Sequence, residues 1–557
     1  MPGDPPGSAL PSAAMTHRAP APTAPPAPAP APDPLHHAPS PEPLSAGPSD
    51  DPSRASGSAP EPAPGPLAAP PPGPATLEGS ALDHAAWLRA AADFVQEHLA
   101  GLAQAPAHGL LGAPAHRRAR ELAPPIPEAP LPGGMDHALA LLREAATLSL
   151  TASGPGYLAY VPGGGLPLAA IADLLAGACN RFSGTSAAAP GFCRLEADVL
   201  DWLAREFGYG PDARGLLTSG GSIANLAAIV SARHHHLGDD ADLRLAVAYT
   251  SSEAHHSVAK ALRLAGLPPR ALRQLPVDRH LRIDPAALVA AIADDRRAGR
   301  RPFLIIAAAG TTNTGAVDPF PELAAIARRE GLWLHADGAY GGAFALCDEG
   351  RRRLVGLHLA DSITIDPHKG LFLPYGTGCL LVADGERLAR AHGGGAAYLQ
   401  DLEAGDLAPP SPSELGPELS RPFRGLRLWL PLMVFGAGAF RQALTEKLAL
   451  AAALHAAIAA RIAGGAPLEL AAPPHLSVVA FRPARRPGEP LAAWNRRGAD
   501  LLAAIHRPGR VLLSSTLLPG DDGPAYTLRA CVLSLRTHRD RIDALLADLD
   551  RALAELT

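Results

Sequence analysis

Between residues 166 and 390, short apolar runs alternate with amphipathic stretches, and this rhythm constrains the fold more than any other feature of the chain. Arg244–Thr250, Phe303–Ala309, Leu332–Ala336, Ser362–Ile365 and Gly378–Val382 read as strands, because they are short, aliphatic or β-branched, and bounded by turn residues. Between them, Ile223–His234, Ser257–Leu264, Pro285–Ala298 and Pro321–Glu330 repeat apolar residues at helical spacing. The alternation predicts an α/β fold, a mostly parallel sheet with helices on both faces. Ligands in such folds bind beyond the carboxyl ends of the strands.

The flanks differ in kind. Of 61 prolines, 25 precede residue 75, in a stretch of Pro, Ala and Ser almost without β-branched or aromatic residues. Such a stretch cannot bury enough apolar surface to offset its chain entropy, so residues 1–78 are expected to be a disordered tail. It is too rich in Pro and too poor in Arg for a mitochondrial presequence. Residues 79–165 read as a helical segment: Ala86-Trp87-Leu88, Ala91, Phe94-Val95 and Leu99 form one apolar face, and a second helix runs from Met135 to about Leu150. A one-sided face needs a partner surface, which suggests dimerisation. The large domain should span 166–435, with a Gly- and Pro-rich interruption from Gly393 to Pro422. A long helix, Trp429–Ala463, leads into a smaller α+β domain over 436–557, with strands at Leu476–Phe481, Val511–Ser514 and Tyr526–Leu533 and a final helix Asp540–Leu556.

Composition excludes several function classes. The net charge is −5 with Lys and Arg scattered, which gives no footprint for nucleic acid or an anionic membrane. The five Cys lie far apart with no CxxC pair, so reduced thiols in a cytoplasmic protein are expected. The run His234-His235-His236 does not converge on a helix, so no metal site is expected. No apolar run approaches the ~18 residues of a membrane helix, and the N-terminus lacks an export signal pattern.

The chemistry concentrates where strands end. Asp361-Ser-Ile-Thr-Ile-Asp-Pro-His-Lys-Gly370 places Lys369 just past a buried strand. A lysine there is costly unless neutral or covalently engaged, and desolvation frees such an amine to form a Schiff base. Alone, the segment reads more readily as a snorkelling surface lysine, and its weight comes from the motifs around it. Leu216-Leu-Thr-Ser-Gly-Gly-Ser-Ile-Ala-Asn225 is a Gly-rich turn opening a helix. Gly221 and Ser222 suit a phosphate at the helix N-terminus, and they equally suit an ordinary cap. Asp337 ends a strand, either paired with a pyridine N–H or capping the next turn, with Ala339 small enough to lie flat under a ring. His255 precedes a helix and could stack on the opposite ring face. Thr312, in Gly310-Thr-Thr-Asn-Thr-Gly315, could bond a cofactor substituent or simply be polar turn.

In this order the motifs resemble the group II pyridoxal-phosphate-dependent decarboxylases, the family of aromatic-amino-acid and glutamate decarboxylases. The resemblance rests on Thr218-Ser-Gly-Gly-Ser222, Ala254-His255, His335-Ala-Asp337 with Ala339-Tyr340, and Asp366-Pro-His-Lys369. Ala159-Tyr-Val-Pro162, Arg424-Gly-Leu-Arg-Leu-Trp429 and Ser534-Leu-Arg-Thr537 extend it from about Leu82 to the C-terminus. It implies fold type I of the aminotransferase-like enzymes, pyridoxal 5'-phosphate (PLP) as cofactor, an L-amino acid substrate and a homodimer. It implies Lys369 as the Schiff-base lysine, Asp337 as partner of the pyridine nitrogen, His255 as the stacking residue, and Gly221 with Ser222 as the phosphate cradle. Thr312, Ala339 and His368 complete the cofactor set. Tyr398, in Ala397-Tyr-Leu399, matches a lid tyrosine that protonates the carbanion, while Tyr160, Pro162 and Arg529 match substrate positions.

Two departures stand out. Asp366 occupies a position where many relatives have Asn near the phosphate, and its carboxylate would repel that anion unless turned away. Arg181-Phe-Ser-Gly-Thr-Ser-Ala187 lacks the bulky aromatic that some relatives use to line the pocket, which removes one reason to expect an aromatic substrate. The rivals are transamination, for which Arg529 could hold a carboxylate, and aldehyde formation, against which Tyr398 argues because that branch typically carries Phe. A non-catalytic PLP scaffold is the distant alternative.

Overall fold

The computed structural model describes residues 77–109, 112–122, 124–394, 408–520 and 522–556. The tail and Tyr398 therefore lie outside the described residues, apart from Leu77 and Glu78.

Seven strands form the main sheet: β1 (Arg214–Thr218), β2 (Ala246–Ser251), β3 (Leu272–Leu275), β4 (Arg301–Ala308), β5 (Trp333–Gly338), β6 (Ser362–Ile365) and β7 (Gly378–Val382), in the order β1-β7-β6-β5-β4-β2-β3. The pairs from β3 through β2, β4 and β5 to β6 are parallel, as expected. β7 departs from that pattern and runs antiparallel to both β6 and β1. The link from β6 to β7 holds only the short helix Pro367–Gly370, too little for a crossover, so the chain turns back on itself.

Both sheet faces are covered, and strand residues alternate between two cores. Ile305, Leu334 and Ala336 belong to one cluster, whereas Leu304, Ile306 and Trp333 belong to the other with Ala224, Ala227 and Ala228 of the helix Gly221–Leu237. Each buried aliphatic side chain contributes about 1.5–3 kcal/mol by leaving water.

A second, antiparallel sheet comprises β8 (Leu468–Leu470), β9 (Val478–Pro483), β10 (Ser514–Leu518) and β11 (Ala525–Cys531), in the order β10-β11-β9-β8. The helix Gly425–Ala463 serves two cores, with Leu428, Phe440 and Leu444 in the first and Ala451, Leu454 and Ile458 in that of the second sheet. It breaks at Gly436, whose φ of 72° suits glycine. By length and composition this helix could cross a bilayer, which the run-by-run sequence reading did not register. Arg441, Glu446 and Lys447 interrupt its apolar character, and the buried positions are those packed in the two cores.

The N-terminal helices Ala81–Gly101, Gly112–Leu122 and Gly134–Thr147 contain no buried residue. Ser80 caps the first through a reciprocal bond with Asp83, which fixes where that helix begins. Trp87, Leu88 and Val95 stay exposed on it.

Candidate active site

The carboxyl ends of β1, β2, β4, β5 and β6 converge on a cavity of about 300 Å³. Gly221, Ser222, His255, Thr312, Asp337, Ala339, His368 and Lys369 all line it. Tyr160, Pro162 and Arg529 do not.

The helix Gly221–Leu237 opens at Gly220 without a side-chain cap, so its first amides and the positive end of its dipole face the cavity. A Cβ on Gly221 would stand 2.9 Å from Ala339 Cβ and 3.0 Å from Asp366 Oδ2, so the wall admits only glycine without adjustment.

Asp337 is half-buried at the end of β5. Its Oδ2 accepts from Asn225 Nδ2 at 3.0 Å, and its Oδ1 accepts from the Ala339 amide at 3.2 Å. The turn-capping and cavity-lining readings of Asp337 thus describe the same residue. His255 Nδ1 accepts from the Ser257 amide at 3.3 Å and lies 2.8 Å from Ser257 Oγ. Burial lowers the His255 pKa, against the opposing pull of Asp337, which favours a neutral imidazole. Its neighbour His256 is exposed, its ring tilted with centroid 4.2 Å from that of His255. Burial likewise lowers the pKa of His368, whose Nδ1 meets the Thr377 carbonyl at 2.7 Å.

Lys369 sits in the helical turn after β6, with Nζ 2.7 Å from Asp366 Oδ2. Asp366 is almost wholly buried, and its Oδ1 has no hydrogen-bond partner among the described residues. It is not turned away from the cradle; its Oδ2 faces the wall at Gly221, and its ion pair with Lys369 Nζ offsets the charge that would otherwise repel a phosphate there.

Arg529, on β11, is placed otherwise than the substrate contact expected of it. Its Nε donates to the Asn313 carbonyl, Nη1 to the Tyr160 carbonyl and Ser514 Oγ, and Nη2 to the Thr312 carbonyl. It thus moors the Thr312 turn to the second sheet. Tyr160 itself is 60% exposed with φ +49°, and Pro162 is buried just before Gly163–Gly165.

Residues 144–484 match the model of the pyridoxal-dependent decarboxylase conserved domain. The chain belongs to that family. The decarboxylase is 37% identical to an aromatic-L-amino-acid decarboxylase of Bacillus atrophaeus, over 72% of this chain and 81% of that protein. It is 32% identical to a tyrosine decarboxylase of Oryza sativa subsp. japonica, over 74% of this chain and 78% of that one. Among solved structures it resembles the Oryza sativa TDC with PLP and tryptamine, with a TM-score of 0.77 at 26% identity, covering 86% of this chain and 98% of the other. The decarboxylase is a carboxy-lyase of fold type I that uses PLP to convert an L-amino acid to its amine and carbon dioxide.

The residues present fit that cofactor. The uncapped helix N-terminus suits a phosphate, the glycine wall leaves room for close approach, and a carboxylate, an imidazole and a lysine share the cavity. Sequence reasoning passed over Asn225, although it stands one helical turn beyond Gly221 and so shares its face.

Proposed function

We propose that this decarboxylase takes an aromatic L-amino acid, with Lys369 as the residue that carries the cofactor. The observation that carries the reading is the convergence of Lys369, Asp337, His255 and the helix N-terminus on one cavity. Bound PLP supplies an electron sink for the pair left behind when the Cα–carboxylate bond breaks. The amides of Gly221 and Ser222 would hold its phosphate, with Thr312 and His368 available to its substituents. Asp337 would pair with its ring nitrogen, while His255 and Ala339 would contact the ring. Lys369 must shed a proton from Nζ before its amine can attack, and Asp366 Oδ2, 2.7 Å away, is positioned to take it. Tyr398, outside the described residues, returns a proton to Cα.

The aromatic preference is supported by the relatives named above, an aromatic-L-amino-acid decarboxylase and a tyrosine decarboxylase. A homodimer is supported by the three N-terminal helices without a buried residue and by Leu174, Leu175, Met433, Val434 and Phe435, exposed on two helices packed together. A cytoplasmic setting away from membranes is supported by five free cysteines, four of them buried.

The test is product analysis of the PLP-loaded protein with a panel of L-amino acids. Tyrosine, tryptophan or phenylalanine should give the amine with stoichiometric carbon dioxide. Preference for glutamate would overturn the substrate class. Tyr398→Phe should lose amine yield and divert product to aldehyde with peroxide, and an unchanged amine yield would remove Tyr398 from the reaction.

A further inference from the structure

Trp333, His335 and Asp337 alternate along β5, so the strand's period of two puts all three on one face. Ser362 on β6 is the register partner of His335. Asn225 reaches the same face from the helix Gly221–Leu237.

These side chains form one line of hydrogen bonds whose direction is set at its far end, where the Asp337 carboxylate can only accept. The indole N–H of Trp333 can only donate, and it donates to Ser362 Oγ at 2.8 Å. The Ser362 hydroxyl is then free to donate to His335 Nδ1, 2.8 Å away. His335 is fully buried, and that burial lowers its pKa to about 4, which keeps the ring neutral; with Nδ1 accepting from Ser362, its proton lies on Nε2. That N–H donates to Asn225 Oδ1 at 3.0 Å. With its oxygen so engaged, the Asn225 carboxamide presents its N–H groups to the cavity side. It donates to Asp337 Oδ2 at 3.0 Å and to Ser257 Oγ at 3.4 Å. The Ser257 hydroxyl in turn donates to His255 Nδ1 at 2.8 Å.

We propose that Asn225 is a positioning residue for the decarboxylation, held in one amide orientation by Trp333, Ser362 and His335 so that it orients Asp337 and, through Ser257, His255. The proposal rests on the reading of Asp337 and His255 as the groups that meet the cofactor ring. A carboxamide has two nearly isosteric orientations. The reversed one would set Asn225 Oδ1 against the Asp337 carboxylate, acceptor against acceptor. A neutral His335 with Nε2–H excludes that orientation, which is why an imidazole and a serine stand behind an asparagine rather than two aliphatic side chains.

The test uses holoenzyme reconstituted with PLP carrying ¹⁵N in its ring, read by the ring-nitrogen resonance together with kcat and KM. Asn225→Leu and His335→Phe should move the resonance toward that of an unprotonated pyridine. They should also lower kcat at least about tenfold with little change in KM. His335→Gln, which keeps a donor near the place of Nε2, should return most of both signals. Ser362→Ala removes little bulk and serves where His335→Phe does not fold; it should shift the resonance in the same direction by less. Asp337→Ala separates the two readings. If it leaves the resonance in place, the assignment of Asp337 to the ring nitrogen fails. If it moves the resonance while Asn225→Leu and Ser362→Ala do not, the role of Asn225 is overturned and that of Asp337 stands.

Discussion

Lys369 Nζ and Asp366 Oδ2 are paired in the wall of the cavity, and each side of the pair yields an expectation. Borohydride reduction of the holoenzyme should label the peptide carrying Lys369, and Lys369→Ala should lower turnover by about 10³-fold or more, roughly 4 kcal/mol of barrier. Recovery of the label on another lysine would displace the assignment. Asp366→Asn removes the proton acceptor beside the amine, so cofactor loading followed by absorbance should slow by on the order of 10²-fold. His335 gives a pH signature. Its folded pKa of about 4 lies below the ordinary 6.5, so the unfolded chain takes up a proton first as pH falls. Its contribution is fully favourable above pH 6.5 and erodes between 6.5 and 4, by up to about 1.4 kcal/mol per pH unit. The gap in urea midpoint between pH 7 and pH 5 should therefore be smaller in His335→Gln than in the wild type. At this scale the residues that line the cavity were legible in the sequence, because strand ends and a Gly-rich helix start are local signals. Asn225 was not, since a contact between a helix and a distant strand leaves no mark in local spacing; the Asp366–Lys369 pair, only three residues apart, was missed because Asp366 was weighed against the phosphate and not against the lysine.

The helix Gly221–Leu237 and strand β5 together build the cavity wall, and their fit leaves no slack at Gly221. Gly221→Ala should weaken cofactor affinity and cost about 1–3 kcal/mol of stability, since its Cβ meets Ala339 and Asp366. Fluorescence titration with PLP and a thermal melt would check both; unchanged values would show that the wall yields. The strands β6 and β7 carry aliphatic runs bounded by turns, and their limits match the sequence reading residue for residue. Strand β3 was missed because Leu-Arg-Gln-Leu shows no alternation at a sheet edge, and β1 because five residues running straight into a glycine turn read as part of that turn. The reversed direction of β7 was also out of reach, since direction depends on the link before a strand and not on its own pattern.

For the whole molecule, the exposed apolar residues of the N-terminal helices and of the helix pair near Gly436 set the expectation of two chains per particle. Light scattering should report a dimer at working concentration, and Met433→Asp with Phe435→Asp should shift it toward single chains with loss of turnover. An active wild-type monomer would contradict this. All residues lining the cavity lie within the compact unit Gly79–Thr557, so a chain beginning at Leu77 should keep turnover within about twofold. Loss of turnover with retained solubility would give the tail a part in catalysis.

The commitment of Arg529 bears on how this scaffold could acquire a different chemistry. A guanidinium that gives four of its five N–H groups to the carbonyls of Tyr160, Thr312 and Asn313 and to Ser514 Oγ cannot turn a two-pronged grip on a new carboxylate without releasing part of that mooring. Any descendant that binds a second carboxylate would have to bring its cation from elsewhere, and a redesign that begins by freeing Arg529 would dismantle the mouth of the cavity it set out to extend.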